Sequence, residues 1–468
     1  MATKVGTPDN DILDGTGFDA VVGLANDDVI MGDDTGQVLI GDGGNGYDTV
    51  NDYTGTLLYA EGGNDEITGG DGDDTIIGDN YAVGSLDRDL IGGDDIIHAG
   101  AGASELVGDT RDVAKFTGEV IRGDVVGGND ELTAGVSLDG SHYLYGDWED
   151  VADDGGTILG DVIGGDDELT AGNTYSEFGN ISLYGEGDAV ADRGGIVEGN
   201  VIGGDDILTA GEAHFVRMYG DWDEVSDSDG GRVKGDVIGG NDELVAGNAR
   251  AGIGLYGDVD DVAQYDGRID GDLIGGDDAL TTGNAMNYIH LIGDFKDAAT
   301  NGGTVVGDVI GGNDELTAGN ATGYDVDNLL YGEGSAVASG GGSSIGGNVI
   351  GGNDELTAGN ADFGDGGIGA DADNRLHGDW RYIAHDGATV TGDVIGGDDA
   401  FTSGDAPDDN RHYGDATQVA YEGMVGGSVI GGGRSRRRER WRRQPPVRRL
   451  EGRRLRRHDL EERHRRRR

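Results

Sequence analysis

The sequence predicts an all-β fold, a solenoid of stacked Gly/Asp-rich repeats. Three observations carry that expectation: a unit of about 36 residues recurs some nine times, glycine supplies 96 of 468 residues, and aliphatic residues alternate with polar ones in very short runs. Glycine at roughly three times its average usage makes long helices costly. Glycine pairs set beside acidic residues let the chain turn through conformations that other residues avoid. Segments apolar at every second position suit short strands. Each unit has too few aliphatics to close a core alone, so stacking must bury them in a column.

The elements run in three parts. Residues 1–90 hold a fine period: Asp11, Asp19 and Asp27 are eight apart, each followed two residues later by Leu13, Val21 or Val29. Within this part, Gly63-Asn64-Asp65-Glu66-Ile67 is followed nine residues on by Gly72-Asp73-Asp74-Thr75-Ile76. Residues 91–433 hold the long unit. Its first block reads VIGGDDELTAGN at 162–173 and VIGGNDELTAGN at 309–320 and 349–360. A second block reads LYGDWEDVAD at 144–153 and MYGDWDEVSD at 218–227, and short elements such as ILGD at 158–161 lead back to the first. A 36-residue unit reads as four drifted nonapeptides, and about 18 residues per rung at ~4.8 Å per rung would give a rod on the order of 100 Å. Residues 434–468 are different: 18 arginines against five acids, a net of +13, leave −72 for the rest of a chain whose total is −59.

Stacking places aspartate over aspartate in successive turns, and like charges a few ångströms apart destabilise the stack or raise their pKa values. A divalent cation between turns removes the conflict. With no cysteine and nine histidines, the ligands are oxygens, which select a hard ion, and carboxylates and carbonyls in flexible loops suit Ca²⁺ over Mg²⁺. The Gly-Asp of the YGDW block is left open between a second acidic position of this kind and an aspartate in an ordinary turn.

Residues 69–77, GGDGDDTII, fit G-G-x-G-x-D-x-U-x at every fixed position, and 63–78 resemble the hemolysin-type calcium-binding nonapeptide repeat of RTX proteins. The GGNDELTAG blocks resemble a degenerate form of it. The resemblance implies a parallel β-roll or β-helix of nonapeptide-derived repeats, with several Ca²⁺ ions between turns held by the sixth-position aspartate and by turn carbonyls or side chains. Carried over, that aspartate is Asp74, with Asp65 one repeat earlier, and in the larger blocks Asp95, Asp130, Asp167, Asp206, Asp242, Asp278, Asp314, Asp354 and Asp399. Asn64 and Asp73, with equivalents such as Asp166 and Asn313, take the preceding turn position. The large blocks depart from the family in having a single GG[DN]D turn where the family has consecutive turns.

Other patterns carry less. Tyr145, Tyr184, Tyr219, Tyr256 and Tyr331 recur before a glycine and read as an outward aromatic ladder between rungs, with a stacking platform for sugars as the alternative. Trp148, Trp222 and Trp380 follow the Gly-Asp. Gly342-Ser343-Ser344-Ile345-Gly346 matches G-x-S-x-G without the strand, turn and helix a nucleophile elbow needs. Gly41 to Gly46 match G-x-G-x-x-G without a following helix. His290, His377 and His385 read as surface variation, and the chain is expected not to be an enzyme. The charge repels nucleic acid and anionic membranes, and no apolar run reaches the ~20 residues of a membrane span.

These features predict a calcium-binding bacterial repeat protein, secreted or surface-attached, that folds on calcium. The alternatives are the repeat portion of a larger secreted enzyme (protease, lipase or polysaccharide-modifying) and a structural adhesin. Beyond calcium, self-association and a cell-surface polysaccharide are the further partners to consider. MATKVGTPDN lacks a basic-then-apolar signal peptide. The resemblance implies type I export, whose C-terminal signal is not visible here.

SVIGGG at 428–433 begins another VIGGND block that breaks off. Codons for Gly, Asp, Val, Ala and Glu begin with G. Where C precedes the G, a one-base shift reads CGG, CGA, CGT or CGC, all arginine. The tail is therefore expected to be out-of-frame translation, with a genuine disordered tail, or one folded back on the acidic body, as the alternative. Sequencing the gene across codon 433 should reveal a shift that restores a VIGGND-like block; an intact frame would overturn this.

Overall fold

The computed structural model describes residues 2–431 apart from 25, 43–60, 229, 324–325, 363–371 and 408. The Arg-rich segment and Gly43 to Gly46 lie outside the described residues. Every regular element among the described residues is a strand. All paired strands within the five large sheets run parallel, each strand pairing with its equivalents in the turns before and after, so the chain is a β-solenoid. No helix is long and apolar enough to cross a membrane.

One turn of the body shows how the repeat builds it. Sheet 1 takes Val162–Ile163, sheet 2 Glu168–Ala171, sheet 3 Ile181–Tyr184, sheet 4 Gly187–Val190 and sheet 5 Ile196–Val197; Val201–Ile202 then returns to lie on Val162–Ile163. Like lies over like: Leu169 pairs with Leu208, Tyr184 with Tyr219 and Val190 with Val225. Apart from one register shift between Ala213 and Phe215, where Ala213 pairs with Ala249 and Phe215 with Gly252, insertions fall between strands, so the register survives turns of unequal length.

A full turn in the body consumes the whole repeat, 39 residues from Val162 to Val201 and 36 from Val201 to Val237, where 18 per rung was expected. Only the N-terminal turns have the smaller size: Thr3 pairs with Ala20 and Ala20 with Val38, steps of 17 and 18. Among the described residues these turns use sheets 2 and 3 alone, the first strands of sheets 4 and 1 are Ala82–Val83 and Leu90–Ile91, and Glu61 bridges in parallel to Ile91. About ten turns at ~4.8 Å make a stack roughly half the expected height.

The wider turn closes around two apolar columns instead of one. Sheets 2 and 3 bury Leu132, Leu144, Leu169 and Leu183 in one. Sheets 1, 4 and 5 bury Trp148, Val151, Ile158 and Val162 in the other. Two segments pass between the columns in every turn: the Gly-Gly-Asp-Asp turn from sheet 1 to sheet 2 and the Gly-Asp turn from sheet 3 to sheet 4. They touch, because the Gly165 N–H donates to the Asp147 carboxylate at 3.0 Å. The cross-section is pinched into a waist there.

The waist requires glycine. A Cβ on Gly165 would overlap the carbonyl oxygen of Gly128 one turn below, and one on Gly146 would overlap the Gly185 carbonyl oxygen and the Asp167 carboxylate. Gly341, by contrast, has open space around it. Gly165→Ala should therefore lower the urea midpoint of the folded chain by the equivalent of about 1–3 kcal/mol or more. Gly341→Ala should be neutral or slightly stabilising. Equal effects at the two positions would contradict the packing described.

Candidate metal centre

The Gly-Gly-Asp-Asp turn aims its two acids in opposite directions. The second aspartate turns inward, forming a column of eleven from Asp28 through Asp65, Asp95, Asp130, Asp167, Asp206, Asp242, Asp278, Asp314 and Asp354 to Asp399. Each backbone N–H in this column donates to Oδ1 of the aspartate one turn on, at 2.6 Å for Asp95 to Asp130 and 3.3 Å for Asp354 to Asp399. That bond fixes the carboxylate plane and turns Oδ2 into the waist. Buried Oδ2 atoms from Asp28 to Asp354 accept no hydrogen bond.

The Gly-Asp turn supplies a facing column: Asp42, Asp79, Asp109, Asp147, Glu186, Asp221, Asp258, Asp294, Glu333 and Asp379. Each accepts from the second glycine of the Gly-Gly pair, at 2.9 Å for Gly128 to Asp109 and 3.1 Å for Gly93 to Asp79. Their second oxygens are again buried and without a hydrogen bond at Asp42, Asp221, Glu333 and Asp379, while Asp79, Asp109, Asp147 and Glu186 lie within carboxyl–carboxyl hydrogen-bonding reach along the column.

The two columns converge. In each of the triads Asp28/Asp42/Asp65, Asp65/Asp79/Asp95, Asp95/Asp109/Asp130, Asp130/Asp147/Asp167 and Glu186/Asp206/Asp221, one carboxylate oxygen from each residue lies within 4.8 Å of those from the other two. Asp147 and Asp167 are 0% and 2% exposed. The cations nearby in sequence are engaged outside the waist: Lys115 with Asp112 and Asp150, Lys296 with Asp260, Arg375 with Asp373. Burial, then repulsion from neighbouring carboxylates, holds Asp95, Asp130, Asp206, Asp242 and Asp314 far above the ordinary carboxylate range. Burial pushes Asp42 up to about 7, Asp65 to about 9 and Asp379 to about 8.

The expected site residues therefore divide. Asp65, Asp95, Asp130, Asp167, Asp206, Asp242, Asp278, Asp314, Asp354 and Asp399 form one continuous column. Asp74 stands apart from it on sheet 3, accepting from the backbone N–H groups of Gln37 at 2.9 Å and Gly70 at 3.2 Å; its successors in register are Ser104, His142 and Ile181. Asn64 and Asp73 are exposed. Asp73 accepts from Ala103 N–H at 2.8 Å. Asn64 belongs to an outer ladder: its N–H donates to Asp27 one turn below at 3.2 Å, and Asp94, Asn129, Asp166, Asp205, Asn241, Asp277, Asn313, Asn353 and Asp398 follow turn by turn, each from Asn129 on donating its N–H to the side chain one turn below.

The facing column is the part that the YGDW block left open. The available signal was its strictness: every copy from Asp42 to Asp379 carries an acid after glycine, and the only variation is glutamate at 186 and 333. The aromatic ladder is real but its ring faces are taken. Tyr145, Tyr184, Tyr219 and Tyr256 are buried and stack on one another at 4.7 to 5.0 Å, which leaves no free face for a sugar. His377 is not surface variation: it is buried between Tyr331 and Tyr413 at 4.9 and 4.6 Å, and burial pulls its pKa down to about 3. Trp148, Trp222 and Trp380 point into the second apolar column. Ser344 sits in a sheet 5 strand between Thr304 and Thr389, not on a turn.

No family model, curated protein or solved structure matches the chain.

The raised values fix the sign of a pH effect. A folded carboxylate with a raised pKa holds a proton that the unfolded chain has already released, so folding weakens as pH rises from about 4 through the folded pKa. Any β signal in circular dichroism that the chain keeps in a chelator at pH 5 should therefore be lost as pH rises to 9, with Asp42 and Asp65 titrating at about 7 and 9. A residual signal that is flat or rises over that interval would contradict a solvent-excluded waist.

Proposed function

We propose that this chain binds calcium through its stacked Gly/Asp-rich repeats and folds on doing so, as a secreted or cell-surface, non-enzymatic bacterial repeat protein similar to the RTX proteins. One observation carries the reading: buried carboxylate oxygens with no hydrogen bond converge in threes, turn after turn. A buried charge without a partner is among the most costly features a fold can contain. A cation removes that cost by coordinating the oxygens that lack a donor.

The donor set selects the class of cation. Carboxylates and backbone carbonyls without thiolate or imidazole suit a hard ion. Asp95 Oδ2 and the Gly108 carbonyl oxygen both close on the space a Gly78 Cβ would fill, as do Asp130 Oδ2 and the Gly146 carbonyl at Gly108. This mixture, supplied by turns, fits calcium's flexible coordination better than the strict octahedron of magnesium. Calcium at roughly millimolar levels, as outside cells, would supply the counter-charge. Without it, a body of −72 with two narrow apolar columns should be expanded and largely unfolded.

Far-ultraviolet circular dichroism tests this directly. The chain should show a coil-like spectrum in EGTA and gain β signal on calcium addition, reversibly. A spectrum indifferent to both would defeat the reading.

A further inference from the structure

We propose that the waist holds a single file of divalent cations, one per turn and about ten in all, each bridged to the next by a shared aspartate. The proposal rests on the calcium reading and adds to it the count, the position and the coupling of the ions.

Sharing is visible in the triads. Asp65 belongs to the triads with Asp28/Asp42 and with Asp79/Asp95; Asp95 and Asp130 are each common to two triads in the same way. The facing acids Asp79, Asp109 and Asp147 each join two column aspartates from successive turns. The arrangement is a chain of sites with common ligands rather than a row of separate ones. Ten backbone bonds link eleven aspartates from Asp28 to Asp399, and one proposed site falls in each interval; the Asp28–Asp65, Asp65–Asp95, Asp95–Asp130 and Asp130–Asp167 intervals each hold a triad, while Asp206 is grouped with two facing acids, Glu186 and Asp221.

Charge sets the valence. Each turn contributes one column aspartate and one facing acid, hence two negative charges. One divalent ion per turn makes the file neutral. A monovalent ion would leave one buried negative charge per turn, and a trivalent ion one buried positive charge, both heavily penalised where water is excluded. Ions one turn apart are only ~4.8 Å from each other, and a carboxylate bridging them offsets their repulsion. Loading one site also fixes the aspartate that serves the next, so neighbouring sites fill together.

The test is the calcium content of the full-length chain by equilibrium dialysis and elemental analysis. About ten ions per chain, filling in one steep step, is the expected result. Saturation at five or fewer would leave calcium binding intact and overturn the file, and no retained calcium would overturn both. Two variants test the sharing. Of the triads named above, Asp130 belongs to two and Asp109 to one, so Asp130→Asn should remove two ions and Asp109→Asn one; equal losses from folded variants would overturn the bridging. Should either variant fail to fold, the wild-type count decides.

Discussion

Two columns of carboxylates face each other across the waist of this solenoid with water excluded, and the rest of the structure is arranged around that fact. Like charges interact far more strongly at low dielectric than in solution. Most of these acids have one oxygen held by a backbone N–H from the turn opposite or adjacent, which fixes its direction, and a second buried oxygen that accepts no hydrogen bond; at Asp258 and Asp294 both oxygens share one N–H. The two apolar columns on either side keep the waist dry. Thus the hydrophobic scaffold and the charged centre are coupled: the scaffold creates the desolvation, and the desolvation raises the cost of every charge left unmet.

Glycine is the means by which two backbones come close enough. At Gly146 and Gly165 the missing Cβ is where the neighbouring turn's carbonyl or carboxylate lies. The same logic explains a paired change. Where the facing acid is Glu186 or Glu333, the next residue is Gly187 or Gly334, at the register position that holds Trp222 or Trp380 in the following turn. A Cβ on Gly187 would press at 2.9 Å on the Trp222 ring, and one on Gly334 at 2.6 Å on Trp380. The empty place lets Trp148 and Trp222, two turns apart, stack at 5.6 Å across Gly187. The longer acid on one side of the backbone and the absent side chain on the other thus occur together in both copies.

Much of the fold was legible because repetition fixes phase. The alternation in ELTA, with Leu169 and Ala171 inward and Glu168 outward, is a strand whichever way the coil closes. The size of the turn was not legible. Aliphatic spacing counts strands, and five short strands can close around one column or two. The site divided for a related reason. Asp74 has the better local motif, but a ladder needs a partner one turn away, and the residues in register with it are Ser104 and His142. Asp95 and Asp130 have a weaker local match and a complete ladder. A motif is read along the chain, whereas a ladder is read across it, and only the repeat length connects the two.

The same distinction changes what the acidity means. Of the 87 acids before residue 434, the eleven column aspartates and ten facing acids account for 21, and these converge on the dry waist, whereas other buried acids such as Asp112 and Asp150 are met by Lys115. The outer Asn/Asp ladder shows the contrast: its members alternate freely between amide and acid, as at Asn129, Asp166, Asn241 and Asp277. What that position contributes is a hydrogen-bond acceptor, which either residue provides. In the inner column no amide replaces an acid, and in the facing column only glutamate replaces aspartate. A position that tolerates Asn is held by hydrogen bonding, and one that admits only a carboxylate is held by charge. By that criterion the waist, and not the acidic surface, is where the proposed cations would act.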